Sequence, residues 1–464
     1  MAASTSQPLP AIAALAGQRV AVWGFGREGR AAIGALRRRL PQLSLTLFCN
    51  AVEADEARHF DAALAIVTEE PDAQALGQFD VVLKSPGISS YKSAIVAAQG
   101  NGTRFTSGTA LWFAEHALNT GGPVIAVTGT KGKSTTSALI AHLARALGVR
   151  TALAGNIGVP LLELLDQPAE LWVTELSSFQ TAEAGPLALG VVTSLYEEHL
   201  DWHGSRERYH ADKLKLAAVA QRLLVNGKQD GLLERTGDHP DRWLFGTAQG
   251  WHVHGGSIRR GGKAIFEIEN LPVPGEHNAL NACAALAALE AAGFDAVKAA
   301  PALASFQPLP HRLQPLGEQG GLSWINDSIS TTPQATLAAL ESLQGREITV
   351  LLGGHDRGLD WTDFVETMAY DPPHALICSG ANGPRIAAAL REANVAAEIV
   401  EVPALEAAVQ RARELTPAGG CVLLSPGAPS FDQFHDYAER GRRFAELAGF
   451  GAQSLVGIEG LGIA

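Results

Sequence analysis

One pattern recurs along the chain: a short apolar run, a break containing glycine, then a longer stretch with apolar positions three or four residues apart. The segment "QRVAVWGFGREGRAAIGALRRRL" predicts a strand over Val20–Trp23, a turn through Gly24-Phe25-Gly26-Arg27-Glu28-Gly29, and a helix. The segment "VIAVTGTKGKSTTSALIAHLARALG", residues 124–148, repeats the plan, with Leu139, Leu143 and Leu147 on one helical face. Further buried strands are predicted in "FDVVLKSPGIS", "LWVTELSS", "GVVTSLY", "EITVLLGG", "HALICSG" and "GCVLLSPG". Strands alternating with helices predict parallel α/β layers. The polar stretch 227–262 has turn residues between short alternating runs and predicts small antiparallel strands at an edge. "NALNACAALAALEAAG" predicts a buried helix, and the prolines of "FQPLPHRLQPL" mark a linker. No solenoid-like repeat is present.

The 464 residues exceed what one core accommodates and suggest about three domains, with boundaries at 1–106, 107–308 and 309–464. The formal net charge is −12 without a long basic run, which argues against a nucleic-acid partner. It leaves room for small anionic ligands, which need only a local positive site. Cys49, Cys283, Cys378 and Cys421 lie far apart, form no CxxC pair, and are expected as reduced core thiols. The segment "MAASTSQPLPAIAALAG" lacks a basic start and carries only a short apolar run, so neither signal peptide nor anchor is expected. No stretch has the length of a membrane span. The expectation is a cytoplasmic protein without membrane insertion.

Chemistry concentrates in Gly129-Thr130-Lys131-Gly132-Lys133-Ser134-Thr135. Glycine lets backbone N–H groups approach phosphate oxygens, Lys133 supplies a point charge, and Ser134 or Thr135 offers a hydroxyl to Mg²⁺. The usual phosphate loop has a glycine five positions before the second one; here Val127 stands there. A plain glycine turn with a surface lysine is the bland alternative, and a narrow coincidence between a strand and an amphipathic helix. Glu175 follows an apolar strand, where α/β folds present ligands, and beside a phosphate loop it suits Mg²⁺ better than a bare strand-end carboxylate would. His199 and His203 are four apart, but Leu200 stands where the zinc-protease pattern needs glutamate, so zinc is not expected. The Gly24-x-Gly26-x-x-Gly29 pattern alone fits any pyrophosphate ligand, including a dinucleotide.

Taken in order, "GTKGKSTT", "GNIG", "TELSSFQ", "EEHLDWHGSRERYHADK", "GEHNALNA", "LPHR", "NDSISTT" and "LLGGHDRG" resemble the Mur ligase family over essentially the whole chain. That family uses the short loop GTxGK[ST]T. "SPGIS" and "LSPGAPSFDQFHDYAERGRRF" resemble its MurD type, the branch that adds glutamate to UDP-N-acetylmuramoyl-L-alanine in peptidoglycan synthesis. The resemblance implies an N-terminal Rossmann-like UDP-binding domain, a central P-loop ATPase-like domain and a C-terminal Rossmann-like domain. It implies ATP and Mg²⁺, an acyl phosphate, and a tetrahedral intermediate. Lys133 would stabilise the transferring phosphoryl group. Ser134, Thr135 and Glu175 would hold one Mg²⁺, with His199 and a carbamylated Lys213 at a second. Asn278 and Asn281 would contact the adenine side, and Arg312 and Asp327 would close over ATP from the third domain. Gly24, Phe25, Gly26, Arg27, Asn50, Ser85, Pro86 and Gly87 would face the UDP moiety, and Asn156, Ser178 and Gln180 the rest of that substrate. Thr331, Arg357, Ser430 and Tyr437 would receive glutamate.

Two departures fall on the acceptor side. Ile329 replaces a lysine of NDSKATN, and Arg357 stands where the family commonly has lysine. Arginine grips a carboxylate as a fork, which lysine does not. These changes lean towards the branch that accepts L-glutamate and leaves inversion to a partner epimerase; drift with D-glutamate retained stays open. A monomer is expected. A folylpolyglutamate-type ligase, a nucleotide-binding protein without ligase activity and a NAD(P)-dependent oxidoreductase are the rivals. The last two leave the strand-end groups idle.

Overall fold

The computed structural model describes residues 11–451, apart from 120, 158, 197–199, 274, 308–309 and 357, together with 462–463. Its fold is mixed α/β built on parallel sheets. The described residues pack into two units. One contains the chain up to Asn270, then Ala279–Ala304 and the short C-terminal strand; the other contains Leu271–Asn278 and the residues from Ser305 onward.

The first unit holds three sheets. Strands β1 (Val20–Trp23), β2 (Leu45–Phe48), β3 (Ala65–Val67), β4 (Val81–Lys84) and β5 (Arg104–Thr106) form a parallel sheet of order β3-β2-β1-β4-β5. The order reverses at β1, so the C-terminal ends of β1 and β4 flank a crevice of the kind that takes ligands in open α/β sheets. The second sheet uses β6 (Val124–Thr128), β7 (Thr151–Gly155), β8 (Leu171–Glu175), β9 (Leu187–Val192), β10 (Ala220–Asn226) and β11 (Arg242–Phe245). Its order is β11-β10-β9-β6-β8-β7, reversing at β6. Every residue of β6, β7 and β8 is buried, as a strand covered on both faces requires. One apolar core runs from Ile33 and Leu36 through Trp112 and Phe113 to Leu162 and Trp172, so these two sheets share a unit.

Within the polar stretch the structure departs from expectation. Residues Arg242–Phe245 form a parallel edge strand beside β10, reached through the helix Asp230–Arg235. Antiparallel pairing is confined to β12 (Trp251–His254), β13 (Ser257–Arg260) and β14 (Lys263–Glu267). The helix Asp230–Arg235 supplies the crossover a parallel pair needs, and a short polar run does not reveal its pairing sense.

The second unit is built on β15 (Gln314–Gln319), β16 (Leu322–Asn326), β17 (Ile348–Leu352), β18 (Ala375–Cys378), β19 (Glu398–Glu401) and β20 (Cys421–Leu424), in the order β15-β16-β20-β17-β18-β19. Only the β15–β16 pair is antiparallel. The ends of β16, β17 and β20 lead into the segments beginning at Asp327, Gly353 and Ser425. In the first unit, β21 (Gly462–Ile463) pairs antiparallel with β7, and Arg145 Nη2 donates to Gly462 O at 3.2 Å. All four cysteines are buried and free, and burial pushes the Cys283 and Cys378 thiols up to about 12. Among the described residues no helix is long and apolar enough to cross a membrane.

Candidate active site

The loop after β6 is shaped by two glycines in conformations that L side chains rarely adopt. Gly129 has φ +148°, and a Cβ there would lie 2.0 Å from Thr193 Oγ1. Gly132, with φ +84°, is the N-cap of the helix Lys133–Ala146; its Cβ would meet Asn281 Oδ1 at 2.4 Å. The end of β9 cradles the loop. The Thr130 N–H donates to Ser194 O at 2.9 Å, and the Lys131 N–H to Ser194 Oγ at 2.8 Å. Thr193 Oγ1 donates to Lys131 O at 2.6 Å. Lys133 Nζ donates to Thr130 O at 2.9 Å, which folds the ammonium over the loop. The helix N-terminus with its glycine turn is an anion site by construction.

Two further groups reach this region. Glu175 ends β8, 1% exposed; its Oε1 accepts from Asn156 Nδ2 at 2.8 Å. Its other oxygen is buried without a hydrogen-bond partner among the described residues. A buried carboxylate oxygen left open is what a hard cation requires. Lys213, on the helix Arg206–Val219, is 2% exposed, and its Nζ donates to Gly129 O at 2.8 Å with the Tyr209 ring 5.0 Å away. Tyr209 in turn shares a hydrogen bond with Thr130 Oγ1 at 2.7 Å. His199 lies outside the described residues.

The same helix is tied to the first sheet. Asp212 accepts from Tyr91 OH at 2.7 Å and from Lys215 Nζ at 2.6 Å, and lies 2.8 Å from His203 Nδ1. His203 Nε2 lies 3.0 Å from Ser178 Oγ. Trp202 Nε1 donates to Pro86 O at 3.2 Å, and Ser89 Oγ donates to Trp202 O at 2.7 Å. Ser178 and the Ser85-Pro86-Gly87 turn are therefore joined through one short stretch, Trp202–Asp212. Gln180 is 1% exposed, and its amide is engaged by Ser177 and Thr109.

In the first crevice, Gly29 is forced: its Cβ would stand 2.0 Å from Gly24 O. Gly26 caps the helix Arg27–Arg39. The Phe25 side chain is fully buried against Phe60, so its backbone is the part left to a ligand. Asn50 caps the helix Ala51–Phe60 through a reciprocal box with Glu53, its side chain accepting from the Glu53 N–H at 2.8 Å. Lys84, 4% exposed, has its ammonium 3.8 Å from Glu183. Burial pushes the Glu28 carboxyl up to about 7, with Arg27 opposing and Glu183 and Glu163 adding.

In the second unit, Asp327 is 3% exposed. Its carboxylate accepts from Ser425 Oγ at 2.8 Å, from Ser330 Oγ, and from the Leu313 N–H at 3.0 Å. Burial raises its carboxyl above the ordinary value, against the pull of those donors. Arg312 sits between His311 (φ +63°) and Leu313 (φ +42°), both in the left-handed region. Such strain persists where the surroundings over-determine it, and here Gln314 and Asp327 hold the two flanking N–H groups. Asn278 is buried in the first turn of the helix Glu276–Ala291, which also carries Asn281. Ser430 is buried, and Thr331 and Tyr437 are half-buried. Arg357 lies outside the described residues.

A short phosphate loop at the switch point of a parallel sheet, with a buried strand-end carboxylate and a buried lysine, defines a nucleotide-dependent α/β enzyme. The chain belongs to the Mur ligase family: residues 127–289 match the Mur ligase middle domain and residues 311–427 the Mur ligase glutamate ligase domain. It is 52% identical over 467 residues to the UDP-N-acetylmuramoyl-L-alanine--L-glutamate ligase of Xanthomonas axonopodis pv. citri (strain 306), covering 97% of this chain and 99% of that protein. The protein of the same name from Micromonospora sp. (strain ATCC 39149 / NRRL 15099 / SCC 1413) is 41% identical, covering 93% and 96%. Among solved structures, MurC of Thermotoga maritima superposes with TM-score 0.59 at 20% identity, covering 92% of this chain and 98% of its own; that likeness speaks to fold alone.

Sequence reasoning passed over Thr193, Ser194 and Asp212, and weighed His203 only as half of a zinc pair, not as the partner of Ser178 and Asp212. The signal available was "TS" directly after a buried strand, at the sheet edge that carries the phosphate loop.

Proposed function

We propose that this chain is an ATP-dependent ligase that joins L-glutamate to UDP-N-acetylmuramoyl-L-alanine, a cytoplasmic step of peptidoglycan precursor synthesis. The observation that carries the reading is the contact of Lys213 with the phosphate loop. The buried Lys213 side-chain nitrogen is held on Gly129 O, beside the loop where phosphoryl oxygens and Mg²⁺ would gather. The acceptor and its hand come from the relatives, which share about half their residues with this chain over nearly full length and are named for L-glutamate.

In this reading the substrate carboxylate takes the terminal phosphoryl group of ATP, and the amine of glutamate then displaces phosphate to form the amide. Backbone N–H groups at the start of the helix Lys133–Ala146 and the Lys133 ammonium hold the phosphates. Glu175, Ser134 and Thr135 would hold Mg²⁺, and the open Glu175 oxygen fits that role. Bound there, Mg²⁺ would draw charge from the phosphoryl oxygens. Lys213 fits carbamylation: a carbamate keeps one N–H for Gly129 O and adds an anionic oxygen pair beside the loop. Thr331, Ser430 and Tyr437 receive the glutamate, and Gly24, Gly26 and the Ser85-Pro86-Gly87 turn receive the UDP moiety. The enzyme acts as a monomer and leaves any inversion of the glutamate centre to an epimerase.

The test is amide formation with UDP-N-acetylmuramoyl-L-alanine, ATP and each glutamate enantiomer. ADP release with L-glutamate supports the reading, and turnover with D-glutamate alone overturns it.

A further inference from the structure

Arg440 lies in the helix Tyr437–Ala448 and is 3% exposed, with no carboxylate at ion-pair distance among the described residues. Its Nε donates to Ser328 Oγ at 3.0 Å, and its Nη2 donates to Ser328 O at 2.9 Å and Ala428 O at 3.0 Å. Ser328 Oγ in turn donates to Tyr437 O at 2.8 Å. One guanidinium thus joins the segment after β16, which carries Thr331, to the segment after β20, which carries Ser430, and both to the helix that begins at Tyr437.

The third nitrogen, Nη1, is buried without a hydrogen-bond partner among the described residues, and Arg440 lines a small cavity with Gly353, Gly354, Ser379, Gly380 and Asp432. The glycines keep this wall close. A Cβ on Gly354 would stand 2.2 Å from Pro429 O and 3.0 Å from Nη1. The Gly353 N–H donates to Pro426 O and the His355 N–H to Pro429 O, each at 2.8 Å, so the segment after β17 is locked to the same frame. Asp432, on the wall of the same cavity, is the acidic group whose charge acts on the buried guanidinium, without a hydrogen bond between them among the described residues.

We propose that Arg440 is the positioning residue of the amino-acid acceptor site. It fixes Thr331, Ser430 and Tyr437 relative to one another, while Asp432 on the cavity wall offsets its buried charge. The inference rests on the glutamate reading above but concerns a residue that reading does not use. Arg440→Lys keeps the charge and loses the fork; Arg440→Met loses both.

The experiment measures kcat and KM for each of the three substrates in the wild type and both variants, with thermal melting as a folding check. The expectation is a KM for L-glutamate raised about thirtyfold in Arg440→Met and about fivefold in Arg440→Lys. The KM values for ATP and the UDP-sugar should move less than about threefold. An unchanged glutamate KM overturns the proposal, as does an equal rise in all three KM values. If Arg440→Met does not fold, Arg440→Lys and Ser328→Ala decide by the same split. Absence of glutamate turnover in the wild type is the separate outcome that defeats the underlying reading.

Discussion

The ammonium of Lys213 and the carbonyl of Gly129 meet at 2.8 Å across 84 residues of chain. Lys213→Met should leave the Gly129 carbonyl without that donor, at a cost of about 1–3 kcal/mol. Ligase turnover should fall by about 100-fold or more, since the carbamate that would help order Mg²⁺ beside the loop is lost. In CO₂-depleted buffer, added bicarbonate should raise wild-type turnover and leave the variant unmoved. A bicarbonate-insensitive wild type would count against carbamylation.

Gly132→Ala places a methyl group against Asn281 Oδ1 in a left-handed residue. The strain is about 1–2 kcal/mol before the clash is relieved. The expected result is at least about tenfold weaker ATP binding by calorimetry, with the melting temperature lowered by a few degrees.

Glu175→Gln keeps an oxygen to accept from Asn156 and removes the charge on the open oxygen. Turnover should need about tenfold more Mg²⁺ or worse, while urea unfolding shifts by less than about 1 kcal/mol. An unchanged Mg²⁺ dependence would remove Glu175 from the metal site.

Asp327→Asn disturbs three donors at once, from Ser330, Ser425 and the Leu313 N–H. The second unit should lose about 1–3 kcal/mol by denaturant unfolding. Amide exchange should quicken at Leu313, because its partner keeps the strained turn around Arg312 in place.

Glu28 gives a pH signature. Its folded carboxyl is raised to about 7 from an ordinary 4.5, so the folded state holds the proton more tightly than the unfolded state. The stabilisation is full below 4.5 and is lost as pH rises through about 7. Glu28→Gln should therefore match the wild type at pH 4.5 and exceed it by about 1 kcal/mol at pH 8, a screened figure for a half-buried group.

What the sequence disclosed depended on distance along the chain. The phosphate loop was legible because strand, glycines, lysine and helix are contiguous. Lys213 became visible only through a matched motif; by itself it resembled any solvated helix lysine, and its burial is a tertiary fact. The pairing of Thr193 and Ser194 with Lys131 spans more than 60 residues, and the Ser178–His203–Asp212 series joins two elements. Neither leaves a local trace. Asn50 shows the reverse case. The Asn50-x-x-Glu53 spacing is a capping box on its face, and that cap engages the side chain expected to face the UDP moiety.

The short loop also carries an engineering consequence. Thr193 and Ser194 act as a fixed gauge, touching the loop at Gly129, Thr130 and Lys131, while Asn281 stops it at Gly132. A loop clamped at both ends has no slack for one more residue. Grafting the longer phosphate loop of other nucleotide-binding proteins onto this scaffold would have to recut the end of β9 and the face of the Asn281 helix as well. Loop length here is an inherited dimension of the sheet, as hard to alter alone as the bore of a bearing.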